Sequence, residues 1–364
     1  MKVRHWPTFK GHSAEGIRGC VWRAPCYVDA AEQSAMLALE RDLRGPVQPS
    51  PSFSFVVPVL DAESTINACL QSIGMARSPG DQLIVVDNGS TDRTLEIVDG
   101  YPGVELHSAP GATIAELRNL GARNAGGEIL AFVDADCVLT DDWRECAETA
   151  LRDSSVAATG SRYDVPERAG WIERAWFSQR LSHRQPVRYI NSGNLVLRRA
   201  AFEDVGGFDE RLVTDEDYDL GWRLNAALHA VVEDPAIRAI HLGNPKTIGA
   251  FYRKLRWHAT SSLDTQSLNR PDRPTIMTLL FLVAGATTVV QLGYMLMGQR
   301  GVPWLLASLP AVIGFTVAAR VRRYRNMRHS LQLAALYFVF YCARASVLLR
   351  AVGRRLQIRR AVPR

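Results

Sequence analysis

Asp134 and Asp136 stand on either side of Ala135 in ILAFVDADCVLTDDW, where the apolar run from Ile129 to Val133 ends. Two carboxylates at the mouth of a buried strand are hard oxygen donors. They suit a divalent cation that keeps some waters and takes substrate phosphate oxygens as further ligands. A solvated turn would carry the same letters, so the D-x-D pattern alone is a weak signal, and its place after an apolar strand is what gives it weight.

Two other stretches carry carboxylates at comparable places. In VVDNGSTDRT, Asp87 ends an apolar run, Asn88 and Gly89 supply a turn, and Ser90 or Thr91 is placed to cap a helix. Asp87 there could accept hydrogen bonds from ribose hydroxyls or a base N–H, whereas a plain strand–turn–helix accounts for NGST without it. In GGFDERLVTDEDYDLGWRL, Glu216 and Asp217 open a helical pattern, where backbone N–H groups favour negative charge. Acidic first turns are common for that reason alone; beside a bound sugar, one such carboxylate could serve as a general base.

These residues need elements to hold them. SFVVPVL, QLIVVD, Val104 to His107 and Ile129 to Val133 read as strands; Glu63 to Ile73, Thr91 to Val98 and Ile114 to Asn124 read as helices. Alternation with short loops predicts a parallel α/β sheet, whose ligands gather outside the carboxyl ends of the strands. Asp61, Asp87, Asn88, Asp134 and Asp136 all fall at such ends. From 155 to 270 the pattern is less regular, with a turn and strand over Tyr189 to Arg198 and a helix over Asp215 to Ala227.

The chain has 364 residues, 47% of them apolar, and a formal net charge of +6. Arginines crowd its last forty-five residues, among them Arg320, Arg322, Arg323, Arg325, Arg328, Arg344, Arg350, Arg354, Arg355, Arg359 and Arg360. Residues 276–297 and 302–319 are free of charge, and the first run would reach about 33 Å as a helix, enough to cross a bilayer. The basic segments RVRRYRNMRHS and GRRLQIRRAVPR both belong on the cytoplasmic side by the distribution of positive charge. The run 331–349 between them is therefore expected to lie in the interface or re-enter, its arginines reaching head groups, with a third crossing as the alternative. A membrane accounts for the arginines better than nucleic acid, since no helix-turn-helix, RNP or zinc-finger pattern is present. The six cysteines lack C-x-x-C spacing and predict neither a zinc site nor a disulfide framework, and Cys137 is expected to be a small buried thiol. Residues 1–50 read as an extension with a helical pattern from Ala30 to Leu43, then the linker GPVQPSPS, and show no cleavable signal peptide.

In order along residues 53–265, FVVPVLDAESTINACLQSI, VVDNGSTDRT, LRNLGARNAGGEILAFVDADC, YINSGNLVLRRAAFEDVGGFDE and DEDYDLGWRL resemble the inverting family 2 glycosyltransferases of GT-A fold. The resemblance implies a mixed, mostly parallel α/β sheet over 51–270, followed by a membrane region over 271–364. It implies a nucleotide-sugar donor, Mg²⁺ or Mn²⁺ as cofactor, and a lipid-linked or glycan acceptor at the inner membrane, with the catalytic domain cytoplasmic. Pro58, Asp61 and Glu63 fall on the family's first nucleotide loop, with Leu60 and Asp61 departing from its usual aromatic and asparagine. Asp87 falls on its nucleoside aspartate, Arg118 in a helix lining the base pocket, and Asp134 and Asp136 on its metal motif, Asp136 being the expected direct ligand. Asp217 matches the catalytic base, with Glu216 before it; Asn191, Ser192, Gly193 and Asn194 match the segment beside donor sugar and acceptor. His241 sits where some related enzymes place a third metal ligand, although a lone histidine is more often structural. Arg256 and Trp257, in RKLRW, resemble the acceptor motif Q-x-x-R-W of processive synthases, with Arg253 replacing glutamine; the bland alternative is an amphipathic helix approaching the membrane. Single-sugar transfer is the expected activity, a processive synthase and an inactive envelope scaffold the alternatives.

Overall fold

The computed structural model describes residues 51–178, 181–262, 273–299, 301–324 and 327–361. The expected helix over Ala30 to Leu43, and Cys20 and Cys26, lie outside the described residues.

Eight strands form one sheet in the order β3-β2-β1-β4-β8-β6-β9-β7, from β1 (Phe53–Val59), β2 (Gln82–Asp87), β3 (Val104–Ser108), β4 (Ile129–Val133), β6 (Val156–Gly160), β7 (Gln185–Pro186), β8 (Asn194–Arg198) and β9 (Ala230–Glu233). β3, β2, β1 and β4 are parallel, β8 runs against both β4 and β6, and β9 lies parallel to β6. This is the mixed, mostly parallel sheet that the family resemblance implies, whereas the alternation of strands and helices alone predicts a parallel one. A second, two-stranded sheet pairs β5 (Cys137–Leu139) with β10 (Ala239–His241) in antiparallel register.

The central strands are mostly apolar, with residues buried on both faces of the sheet. Alternate residues of β1 separate into two cores: Phe53, Phe55, Val57 and Val59 join Leu70, Ile73 and Trp143, while Val56 joins Phe132, Phe202, Phe208 and Leu224. Each such side chain, removed from water, contributes about 1.5–3 kcal/mol.

Helix boundaries show where polar side chains compete with the backbone. Ile114–Asn124 begins where predicted, closed by a capping box in which Thr113 Oγ1 accepts from Glu116 N and Thr113 N donates to Glu116 Oε2. The first helix starts at Ile66 rather than Glu63, and the second at Thr94 rather than Thr91. The residues in front of both are occupied by loop-to-loop hydrogen bonds, and neither Ser90 nor Thr91 caps a helix.

At the C-terminal end, Arg273–Leu296, Pro303–Arg323 and Ser330–Gly353 are long and apolar enough to cross a membrane. The first two match the predicted spans. The third lies within one unbroken helix, Ser330–Ala361, so the expected re-entrant path is corrected: re-entry needs a chain reversal that this segment does not make. One face of it carries Leu336 and Ala343 onto Phe251 and Leu255 of helix Ile248–Ser262, and Phe340 packs on Trp176 of helix Trp171–Trp176. Two of its neighbourhood's arginines are used inside the protein rather than at head groups. Arg320 lies 4.5 Å over the Trp176 ring and donates to Trp176 O, and Arg344 Nη2 donates to Thr275 Oγ1 at 3.1 Å.

Candidate active site

The carboxyl ends of β1, β2 and β4 share one edge of the sheet. Because β8 runs the other way and pairs Asn194 with Val133, its leading loop, Asn191 to Gly193, arrives at that same edge. Asp134 N donates to Gly193 O at 3.3 Å, fastening the two segments together.

Arg118 is the centre of this edge. Its side chain is 3% exposed, and it donates from Nη2 to Asp134 Oδ1 at 2.6 Å and from Nη1 to Glu216 Oε1 at 2.7 Å. Ser192 Oγ completes the group, 3.3 Å from Glu216 Oε1. Helix Ile114–Asn124 comes close enough for this because of Gly121, where an added Cβ would stand 2.3 Å from Val56 Cγ1. Arg118, expected in a helix lining the base pocket, has its fork bridging two carboxylates in the interior, as suits a planar, always-charged guanidinium.

Asp136, on the other side of Ala135, faces His241. His241 Nε2 lies 3.5 Å from Asp136 Oδ2, its ring is 4.8 Å from that of Tyr163, and its Nδ1 has no hydrogen-bond partner among the described residues. Ligand atoms of Asp134, Asp136, Cys137 and His241 all lie within 4.8 Å of one another. The donors therefore fit a divalent cation, with Asp136 and His241 freer to ligate than Asp134, whose Oδ1 is held by Arg118. Two glycines make room. A Cβ on Gly193 would stand 2.2 Å from Asp134 Oδ2, and one on Gly243 would stand 1.9 Å from Asp136 Oδ2. Burial raises the Asp136 carboxyl above its ordinary range, opposed by His241 and reinforced by Asp134. Burial lowers His241 in turn, against the pull of Asp136.

Asp217 is the second residue of helix Glu216–Ala226, which begins directly after Asp215, whose left-handed φ of 67° turns the chain into the helix. Asp217 is half-buried, and its Oδ1 accepts from Tyr218 N at 2.7 Å. Burial, then the charge of Glu216, push its carboxyl up to about 7 against the opposing charge of Arg118. A carboxylate perturbed this way beside a cation pocket is suited to take a proton near neutral pH.

The first and second loops are laced together. Asp61 Oδ1 accepts from Thr91 N at 2.8 Å, Asp61 N donates to Ser90 Oγ at 3.0 Å, and Glu63 Oε2 accepts from Arg93 N at 3.2 Å. Asp87 is buried, with Oδ2 accepting from Gly89 N at 2.8 Å and Oδ1 from Ser90 N at 3.1 Å. The turn thus accounts for Asp87 after all, and any nucleoside contact has to share oxygens already in use. Pro58 lies inside β1, buried, opposite Val86.

Asn194 is corrected as well. It is fully buried, accepting from Trp143 Nε1 at 2.8 Å and donating to Ile237 O at 2.9 Å, so it joins β8 to the core rather than facing a sugar. Asn191 O accepts from Asn194 N at 3.1 Å. Arg256 and Trp257 lie on helix Ile248–Ser262, Arg256 5.9 Å over the Tyr252 ring and Trp257 half exposed. The charge of their helix neighbour Lys254 acts on both Asp136 and His241. Lys254, Tyr163 and Gly243 were missed from sequence. Tyr163 OH accepts from Gly193 N at 3.1 Å and faces Asp134 Oδ2 at 3.4 Å, yet it sits in the irregular stretch where no periodicity marks it.

Residues 54–206 match the family described as Glycosyl transferase family 2. The chain is 27% identical over 243 residues to the O-antigen biosynthesis protein RfbC of Myxococcus xanthus, covering 58% of this chain and 19% of that protein. It is 29% identical over 219 residues to the N-acetylglucosaminyl-diphospho-decaprenol L-rhamnosyltransferase of Mycobacterium tuberculosis, covering 47% and 70%. Among solved structures, the mannosyltransferase PcManGT of Pyrobaculum calidifontis, in complex with GDP-Man and Mn²⁺, superposes with a TM-score of 0.47 at 18% identity, over 90% of this chain and 95% of that one.

Proposed function

Taking as premise that residues 54–206 form a glycosyl transferase family 2 domain, we propose that the protein moves one sugar from a nucleotide-diphospho-sugar to a lipid-linked or membrane-adjacent glycan acceptor, with inversion. The observation that carries this reading is the placement of Asp217 one residue from the Glu216 that Arg118 ties to Asp134; burial pushing its carboxyl up agrees with a proton-accepting role.

In this reading the ionised Asp217 removes the acceptor hydroxyl proton as that oxygen attacks the anomeric carbon, and the diphosphate leaves from the opposite face. Asp136 and His241, with Asp134 beside them, would hold Mg²⁺ or Mn²⁺, which when bound supplies Lewis-acid neutralisation of the diphosphate. Arg118 keeps the Asp134 carboxylate aimed and Glu216 fixed, so the base and the cation pocket keep their spacing during the displacement. The loops at Asp61, Glu63 and Asp87 form the nucleoside rim. Asn191, Ser192 and Gly193 form the sugar-side wall, and Arg256 and Trp257 lie toward the acceptor.

The membrane disposition follows from the same chain. Residues 51–270 form the catalytic domain on the cytoplasmic face of the inner membrane, and 271–364 the membrane region, with the first two spans crossing. Residues 331–349 take the interfacial position beneath the catalytic domain in this reading, with Leu336 and Ala343 on helix Ile248–Ser262; a third crossing is the alternative, since Leu333, Tyr337 and Tyr341 of the same helix pack on Phe281 and Val317 of the first two spans. A lipid-linked acceptor is favoured because helix Ile248–Ser262, which carries Arg256 and Trp257, packs on the apolar helix Ser330–Ala361; the named activity of the mycobacterial rhamnosyltransferase points the same way.

Full-length protein in detergent, given a panel of nucleotide sugars with Mg²⁺ or Mn²⁺ and a polyprenyl-linked acceptor, should release nucleotide diphosphate from one donor. The product should carry a single added sugar of opposite anomeric configuration. Failure to turn over any donor with either ion would remove this reading.

A further inference from the structure

Cys137 stands apart from the other thiols because of what faces it. In the small sheet, β5 and β10 place Cys137 directly opposite His241. Paired residues in such a ladder send their side chains to the same face, with Cβ atoms about 5 Å apart. Asp136 precedes Cys137, and Leu242 N donates to Asp136 O at 2.8 Å, locking the two strands at this end. Cys137 Sγ lies 4.0 Å from Asp136 Oδ1, and the donor atoms of Asp134, Asp136, Cys137 and His241 fall within 4.8 Å of one another. His241 is 6% exposed; its Nε2 faces Asp136 Oδ2 at 3.5 Å, while its buried Nδ1 has no hydrogen-bond partner among the described residues.

We propose that Cys137 is a fourth donor of this pocket, so that the site also takes a thiophilic divalent cation (Co²⁺, Zn²⁺ or Cd²⁺) through sulfur. The inference rests on the reading above that Asp134 and Asp136 line a cation pocket. Its chemistry differs from that of a carboxylate-only site. Oxygen donors select Mg²⁺ and Mn²⁺, whereas imidazole and thiolate together favour zinc-like ions in four-coordinate geometry. On binding, the Cys137 S–H bond breaks, the sulfur–metal bond forms and the proton leaves to solvent; nothing is oxidised or reduced. Gly193 and Gly243 leave room for the two carboxylates at this corner, and donors within 4.8 Å of one another need to close by only about 1 Å to reach metal-ligand spacing. Cys69 is the internal control. It too is buried near the site, but its Sγ lies 3.5 Å from the Asp134 backbone oxygen and it is not part of the donor cluster.

The test is a Co²⁺ titration of the full-length protein in detergent, read by absorption. Visible d–d bands together with a near-ultraviolet sulfur-to-cobalt charge-transfer band are expected. The Cys137→Ser variant should lose the charge-transfer band, keep d–d bands and release Cd²⁺ about tenfold more readily; Cys69→Ser should keep the charge-transfer band. Cobalt d–d bands without a sulfur band in the wild type would overturn the proposal while leaving the cation pocket intact. No spectral change at all would overturn the pocket and the proposal together. Should Cys137→Ser fail to fold, X-ray absorption at the cobalt edge of the wild type decides the matter: sulfur in the first shell supports the proposal, and oxygen and nitrogen alone overturn it.

Discussion

Arg118 Nη1 lies 2.7 Å from Glu216 Oε1, joining two residues that are 98 positions apart in the chain. The same guanidinium reaches Asp134, so one buried cation sets the distance between the D-x-D turn and the helix that carries Asp217. Replacing Arg118 by Met leaves Asp134 and Glu216 without a counter-charge, and a loss of about 3–5 kcal/mol is expected. Arg118→Lys should recover only part of it, since an ammonium cannot span both carboxylates. Denaturant unfolding of the solubilised protein checks this; equal midpoints for wild type and Arg118→Met would refute the bridging role.

Asp217→Asn should lower transfer by about 10²-fold or more while donor binding, read by calorimetry, is unchanged. Undiminished transfer would remove Asp217 as the base.

The pH dependence of transfer has a definite sign. A carboxyl raised to about 7 holds its proton below that pH, so the rate should fall about tenfold per unit as pH drops below 7 and level off above it. Stability runs the other way. A raised folded-state pKa means the folded protein binds the extra proton, and its stability declines as pH rises from about 4 toward 7. Asp217→Asn should therefore gain more stability relative to wild type at pH 8 than at pH 5. A difference independent of pH would show that the carboxyl is not strained by burial.

Gly243→Ala places a methyl group 1.9 Å from Asp136 Oδ2, whereas a Cβ on Gly293 meets nothing within 4 Å. Overpacking of this kind costs about 1–3 kcal/mol and displaces the carboxylate. Gly243→Ala should thus weaken Mn²⁺ binding, measured by electron paramagnetic resonance, and Gly293→Ala should not. Identical Mn²⁺ affinities would show that Asp136 is not a ligand.

A cysteine introduced at position 362 should be labelled by a membrane-impermeant reagent only after the cells are opened, since the tail is assigned to the cytoplasmic side. Labelling of intact cells would establish an odd number of crossings and make Ser330–Gly353 a true span.

Much of this protein is written locally. The strands β1, β2 and β4 are short apolar runs that end in polar turns, and Thr113 with Glu116 announces the helix behind them, so the sheet edge and the carboxylates Asp134, Asp136 and Asp217 are readable from the sequence. The charge-free runs before and after Gly298 are equally plain, because spanning length is a local property. Other features depend on partners far along the chain. Asp61, Glu63 and Asp87 look free in sequence, but their oxygens hold the backbone of neighbouring loops. Asn194 lies in a polar motif, but Trp143 draws it into the core. Tyr163, Lys254 and Gly243 have no periodic signal; the antiparallel return of β8 and the pairing of β5 with β10 bring Tyr163 and Gly243 to the carboxylates. Residue type and local spacing were enough to determine which groups could do chemistry and near which strand ends they lie. Which carboxylate is tied down, which stays open to a cation and which is pushed toward neutrality was decided by the tertiary structure, since burial and ion pairing depend on what surrounds a charge in space.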